Sequence, residues 1–420
     1  MRAARPSARI AAPSICSKSE RAGRLNLISR NEVDLSEQGS NLTNRRLCVV
    51  QLVPMLNSGG AERSALEIAR ALVEAGHESI VVSGGGRLVT QLVAEGSRHI
   101  ELPIGRKSLR TLLLVSRLRR ILVESGADIV HARSRLPAWL GWRAINGMPV
   151  PKPHFVTTVH GLNSPGWYSS IMARGDRVIC VSNLVRDHVL RHYRKTSPQR
   201  LVLIPRGVDA AEFPFGHQPD DEWRARFFAE YPHLDGAPLL TLPARGTRLK
   251  GHADAIELLA DLKDRGVDAR LLLLGAREPG REAYVAELEA LAAQRGVSGH
   301  MAISPPRADV RDVMAVSTLV LQLSTQHESF GRTVIEALSL CRPVLGYAHG
   351  GVGELLTDLY PSGRVPPGDR ARLAERAADL MRAAPAIQPL ARYRLSDMQE
   401  ATLALYGELA AEPRRRRGDR

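Results

Sequence analysis

The 420-residue sequence predicts an α/β protein, with two Rossmann-like domains facing each other across a cleft. Three observations carry this. Short, β-rich apolar runs alternate with helical patterns from Leu47 to the last part of the chain. The chain is too long for one ordinary core. Pro214 and Pro219 interrupt the alternation near its middle, as an interdomain linker would. The division is a basic arm over 1–44, an N-terminal domain over 45–210, a linker region over 211–235, a C-terminal domain over 236–385, a last helix over 386–410 placed to cross back to the first domain, and a basic tail over 411–420.

Arg46 to Pro54 reads as a buried first strand, followed by the turn residues Asn57 to Gly60 and a helical pattern ending at Gly76. Ile80 to Val82 and Ser97 to Leu102 are further strands. Leu109 to Glu124 is a helix with a basic face carrying Arg110, Arg117, Arg119 and Arg120. Strands at Ile129 to His131, Phe155 to Val159, Arg177 to Val181 and Leu201 to Ile204 complete the first domain. The second repeats the alternation, with strands at Leu239 to Leu242, Ala269 to Leu274 and His300 to Ile303.

Its densest stretch is Thr318 to Leu356. A strand to Leu323 leads into a polar loop, a helix from Arg332, a strand at Val344 to Tyr347 and a helix near Val352. Loops at the C-terminal ends of parallel strands gather on one rim. Glu328 and Glu336 can accept hydrogen bonds from hydroxyls. Gly350 and Gly351, at a helix start, suit a phosphate. Taken alone, Glu336 reads equally as a partner of Arg332 one helical turn away, and the glycines as an ordinary turn. Arg245 and Lys250, after the first strand of the second domain, would offset a diphosphate on the same rim, with Arg248 a third cation. His160 ends a strand and either faces a sugar hydroxyl or is held by backbone. His131 and Arg133 are rim residues on the acceptor side. Gly59 and Gly60 serve close substrate approach or helix–sheet packing.

Composition narrows the function. The net charge of +14 favours phosphate-bearing or anionic partners. Only 4% of residues are aromatic, which argues against stacking platforms for nucleic acid. Cys48, Cys180 and Cys341 lie in or beside apolar segments, as small core residues of a reducing compartment. No apolar run is long enough to span a membrane. A cytoplasmic protein with at most peripheral contact with an anionic membrane follows. Phosphate-loop, nucleophile-elbow and zinc-helix motifs are absent from the sequence.

Together these motifs, from Leu47 to Leu380, resemble the retaining glycosyltransferases of family 4, which have the two-domain glycosyltransferase-B fold. The matching segments are NSGGAER with Gly59 and Gly60, TTVHG with His160, VSN at Val181 to Asn183, and IPRGVD at Ile204 to Asp209. Arg206 stands where the family has asparagine, and Ser329 where it has a small glycine. The resemblance implies that Arg245 and Lys250 hold the donor diphosphate. It puts Glu328 toward the donor sugar, Glu336 toward the ribose, and Gly350, Gly351 and Glu354 in the closing motif. It implies retaining, metal-independent transfer from a UDP-, GDP- or ADP-sugar to a glycan or glycolipid hydroxyl, with no tightly bound cofactor. The segment around His160 is similar to transferases of lipopolysaccharide or other envelope glycans. The rival readings are a nucleotide-sugar epimerase of the same architecture and a non-enzymatic binder of anionic membrane or nucleic acid.

Overall fold

The computed structural model describes residues 45–57 and 59–413. The expectations for the arm over 1–44, for Ser58 and for Arg414 to Arg417 fall outside these residues. Among the described residues, thirteen strands form two sheets. The first sheet has seven strands in the order β3-β2-β1-β4-β5-β6-β7, and the second has six, in the order β10-β9-β8-β11-β12-β13.

The first sheet is built from β1 (Cys48–Leu52), β2 (Glu78–Ser83), β3 (Arg98–Glu101), β4 (Ile129–Ala132), β5 (His154–Val159), β6 (Arg177–Cys180) and β7 (Leu201–Leu203). The second is built from β8 (Leu239–Pro243), β9 (Arg270–Leu274), β10 (Met301–Ile303), β11 (Leu319–Gln322), β12 (Val344–Tyr347) and β13 (Arg364–Val365). Strand pairing is parallel throughout both sheets; Gln51 on β1 lies opposite His131 on β4. Helices cover both faces, which explains why central strands read as unbroken apolar runs rather than alternating ones. Val49, Val50 and Leu52 are all fully buried.

The strand order reverses between β1 and β4 in the first sheet and between β8 and β11 in the second. Loops diverge at such reversals and leave a crevice beyond the strand ends.

The chain crosses between the domains at two adjoining segments. Val208 N–H donates to Tyr393 O at 2.9 Å and Leu395 N–H donates to Val208 O at 2.8 Å. Gly207 sits against this crossing; a Cβ there would lie 2.2 Å from Arg394 O. The last helix, Leu395–Ala411, lies on the first domain. Its Tyr406 and Leu409 are fully buried with Val49, Ile68 and Ile129. Helix Asp221–Glu230 belongs to the second domain's packing, with Phe227 against Leu239 and Leu272.

Several local expectations change. The predicted helix over Leu109 to Glu124 is a 3-10 turn, Leu109–Leu113, followed by an α-helix, Leu114–Glu124. The helix expected near Val352 begins at Gly350, so both glycines belong to its first turn. Cys341 is half-buried at φ 59, beyond the end of helix Arg332–Ser339, and is not a core residue as Cys48 and Cys180 are.

Candidate active site

A cavity of about 890 Å³ opens between the domains. Gly60, His160 and Arg206 line it from the first domain, and Arg245, Lys250 and Glu328 from the second. Lys250 follows β8 and Glu328 follows β11, the two strands at the reversal of the second sheet. Their side chains meet there, Lys250 Nζ to Glu328 Oε1 at 2.5 Å. Gln322 donates to the other carboxylate oxygen at 3.3 Å, and the Ser324 hydroxyl also bonds Glu328. Glu328 is thus held by three side chains on the rim beyond the C-terminal ends of the strands. Arg245 is exposed on the same rim, and its side chain has no partner among the described residues. Arg248 turns away: it bonds Glu287 at 2.5 Å and lies over the Tyr284 ring, so it is not a third cation of the cleft.

Gly350 and Gly351 do not line the cavity but support the loop that does. Gly350 has φ +60, and a Cβ there would lie 2.8 Å from Glu328 O; one on Gly351 would lie 2.5 Å from Phe330 Cα. Gly351 N–H donates to Glu328 O at 2.8 Å. That N–H is therefore already engaged and is not free for a phosphate, contrary to expectation. His349, which the sequence reading passed over, takes the rim position: it lines the cavity, bonds Ser324 O at 2.7 Å and packs on His327.

Glu336 also departs from expectation. It accepts from Arg332 Nε at 3.2 Å, and Arg332 Nη1 reaches Glu67 of the first domain at 3.0 Å. Burial works to lower the Arg332 pKa, but Glu67 and Glu336 outweigh it and hold the guanidinium above its usual value. Glu336 faces a neighbouring interdomain recess lined by Glu67, Arg70 and Gln399, rather than the main cavity. Glu354 spans the domains: its oxygens accept from Asn183 N at 3.0 Å and Leu184 N at 2.6 Å. These are first-turn donors of helix Asn183–His192, where a carboxylate is favoured.

In the first domain, Gly60 lines the cavity, and a Cβ on it would lie 2.5 Å from Arg206 Nη1. Gly59 caps helix Gly60–Glu74 at an ordinary φ of -83. Arg206 donates to Gly60 O and to His160 Nδ1, both at 2.8 Å. Burial, then Arg332, lower the Arg206 pKa to about 10. His131 is not an acceptor contact. It is fully buried and bonds Tyr406 at 2.5 Å and Thr158 at 2.6 Å, which ties the last helix to β4. Arg133 is buried as well and donates to Gln51 at 2.8 Å. Both were expected on the rim because they end or follow a strand; their side chains turn into the layer under the last helix.

Comparison with known proteins agrees with this geometry. The model of Glycosyltransferase Family 4 matches residues 58–212, and that of Glycosyl transferases group 1 matches residues 224–393. The D-inositol 3-phosphate glycosyltransferase of Xylanimonas cellulosilytica is 26% identical over 332 residues, covering 72% of this chain and 78% of its own. The phosphatidyl-myo-inositol mannosyltransferase of Mycobacterium leprae is 25% identical over 342 residues, covering 77% and 84%. A glycosyltransferase structure from Rickettsia africae superposes with a TM-score of 0.78 at 27% identity, over 87% of this chain and 99% of that one. Anabaena HepE in complex with UDP-glucose shares the fold, with a TM-score of 0.71 at 19% identity over 86% and 100%. Two parallel α/β domains, a polar cleft between them and these matches over both halves make the chain a member of glycosyltransferase family 4, with the glycosyltransferase-B fold.

Proposed function

We propose that the protein transfers a glycosyl unit from a nucleotide-sugar to an acceptor hydroxyl with retention at the anomeric carbon, and without a resident metal. The carrying observation is the Lys250–Glu328 pair at the reversal of the second sheet, with Arg245 beside it on the cleft. In this reading, residues 236–385 take the nucleotide and residues 45–210 most of the acceptor. Arg245 and Lys250 neutralise the donor diphosphate and the charge that grows on it as the glycosidic bond breaks. Glu328 and His160 take the sugar. The departing diphosphate accepts the proton of the hydroxyl that attacks from the same face. Closure of the two domains excludes water and limits donor hydrolysis. Glu336 reaches the ribose only after releasing Arg332, which makes it a conditional contact.

For the acceptor we infer an envelope glycan or glycolipid, lipopolysaccharide included. The sequence relatives named for inositol 3-phosphate and phosphatidyl-myo-inositol support a polyol phosphate or a lipid that bears one. Anabaena HepE with UDP-glucose supports a UDP-sugar as the first donor to try. Among the described residues no helix is long and apolar enough to cross a membrane. Leu112 and Leu113 are exposed beside the arginine-bearing helix Leu114–Glu124, which supports peripheral contact with an anionic bilayer at its cytoplasmic face.

The test is a screen of UDP-, GDP- and ADP-sugars against lipid-linked, lipopolysaccharide and inositol phosphate acceptors, with product configuration read by NMR. Donor-dependent glycosylation that keeps the donor's anomeric configuration supports the reading. An inverted product, or conversion of the donor sugar without any acceptor, overturns it.

A further inference from the structure

We propose that Arg206 is a positioning residue that fixes the tautomer of His160, with the ring neutral and its proton on Nε2. A guanidinium carries five N–H donors and no acceptor. Arg206 Nη2 lies 2.8 Å from His160 Nδ1, so Nδ1 presents its lone pair. In a neutral imidazole the hydrogen then sits on the other nitrogen. The guanidinium is itself pinned, because its Nη1 donates to Gly60 O at 2.8 Å. It is 8% exposed and cannot swing away without leaving a buried charge unpartnered. An asparagine at this position, usual in the resembled family, has both a donor and an acceptor and could turn either toward the ring. Arginine removes that choice.

The surroundings act in the same direction. Arg206, Arg133 and His131 line one small void with the ring, and the two guanidiniums oppose a positive charge on it. Glu62 of the first domain and Lys250 and Glu328 of the second share the cleft. Burial first, then Arg206, keep the imidazole well below its usual pKa of 6.5. His160 Nε2 is buried and has no partner among the described residues. His160 therefore neither takes up a proton from the acceptor nor stands as a cation toward the diphosphate. It is one N–H donor of fixed direction, buried in this state, and it meets an oxygen of a bound sugar only once the groups that cover it move aside. That last step rests on the nucleotide-sugar reading of the cleft; the tautomer does not.

The full-length protein, labelled with 15N at histidine, is examined by long-range 1H–15N spectroscopy from about pH 5.5 to pH 8, bracketing the ordinary histidine range. His160 is assigned by comparison with His160→Gln. The expected result is an unprotonated Nδ1 and a protonated Nε2 at every pH. Arg206→Asn should mix the tautomers and let the ring titrate toward the ordinary range. Arg206→Lys, which also only donates, should restore the single form. A protonated Nδ1 or a titrating ring in the unmodified protein overturns the proposal, as does an Arg206→Asn spectrum identical to it. Should Arg206→Asn fail to fold, the spectrum of the unmodified protein decides. A chain that shows this tautomer but binds no nucleotide-sugar sustains the proposal and refutes the reading of the cleft.

Discussion

The hydroxyl of Ser329, on the second domain, donates to the carbonyl oxygen of His160, on the first, at 2.6 Å. This bond closes the cleft at the point where both candidate sugar contacts, His160 and Glu328, converge. The resembled family has a small glycine here, which could not make it. Ser329→Gly should therefore loosen closure more than folding. The net loss of one such bond is about 0.5–1.5 kcal/mol. Water admitted to an open cleft competes with the acceptor. The ratio of donor hydrolysis to glycosyl transfer should rise in this variant, and an unchanged ratio would count against a closure role.

Lys250→Ala removes the cation that pairs with Glu328. Loss of one preorganised charge-stabilising group commonly costs about 100-fold or more in turnover. The pair is partly solvated, at 28% and 21% side-chain exposure, so its deletion should leave the thermal midpoint within a few degrees. Steady-state kinetics beside a thermal melt separate the two effects. Near-normal transfer by this variant would refute the assignment.

Tyr406 and His131 join the last helix to β4 through a buried bond of 2.5 Å. Tyr406→Phe strands the histidine nitrogen, a loss of about 1–3 kcal/mol when a buried polar group is left unmatched. Urea denaturation should show it. Transfer should persist, since neither side chain lines the main cavity.

Stability should also fall on acidification. Burial lowers the pKa values of His131 and His160 well below 6.5, and those of His77, His99, His188 and His252 are lowered too. The unfolded chain then binds more protons than the folded one below about pH 6.5. The stability is complete above that pH and declines as pH drops from it toward the depressed folded values. His131 and His160, the two shifted furthest, each contribute a slope of up to about 1.4 kcal/mol per pH unit, and the part-exposed His77, His99 and His188 contribute less. Urea midpoints measured at about pH 7, 6 and 5 should decrease in that order, and a flat series would contradict the buried-neutral assignment.

The fold was legible because both sheets are parallel and covered, so their strands are continuous apolar runs bounded by glycine and polar turns. Rim residues were legible where they lie in the loop that follows a central strand of the second sheet, as with Arg245 and Lys250 after β8 and Glu328 after β11. Direction was the weak point. His131 and Arg133 also stand at a strand end, but the helix that buries them arrives from more than 250 positions later in the chain. No local pattern announces that. Glu336 is drawn away by Arg332, which is itself held by Glu67 on the other domain. Its pairing with Arg332 was visible from spacing, whereas the second carboxylate was not. The need for glycine at 350 and 351 was legible as close approach; the Glu328–Phe330 backbone packs against both, and the Gly351 N–H is taken by Glu328 O. Arg206 stood out only as a departure from a familiar motif, and its two partners come from distant segments.

Calorimetric titration of UDP, GDP and ADP into the unmodified chain and into an Arg245→Ala, Lys250→Ala double variant is the most direct test. At least one of these nucleotides should bind the unmodified chain, and the double variant should bind it at least about tenfold more weakly, or about 1.4 kcal/mol. Equal affinity in both proteins, or no binding of any of the three to the unmodified chain, would contradict a diphosphate site on the β8 rim of the cleft.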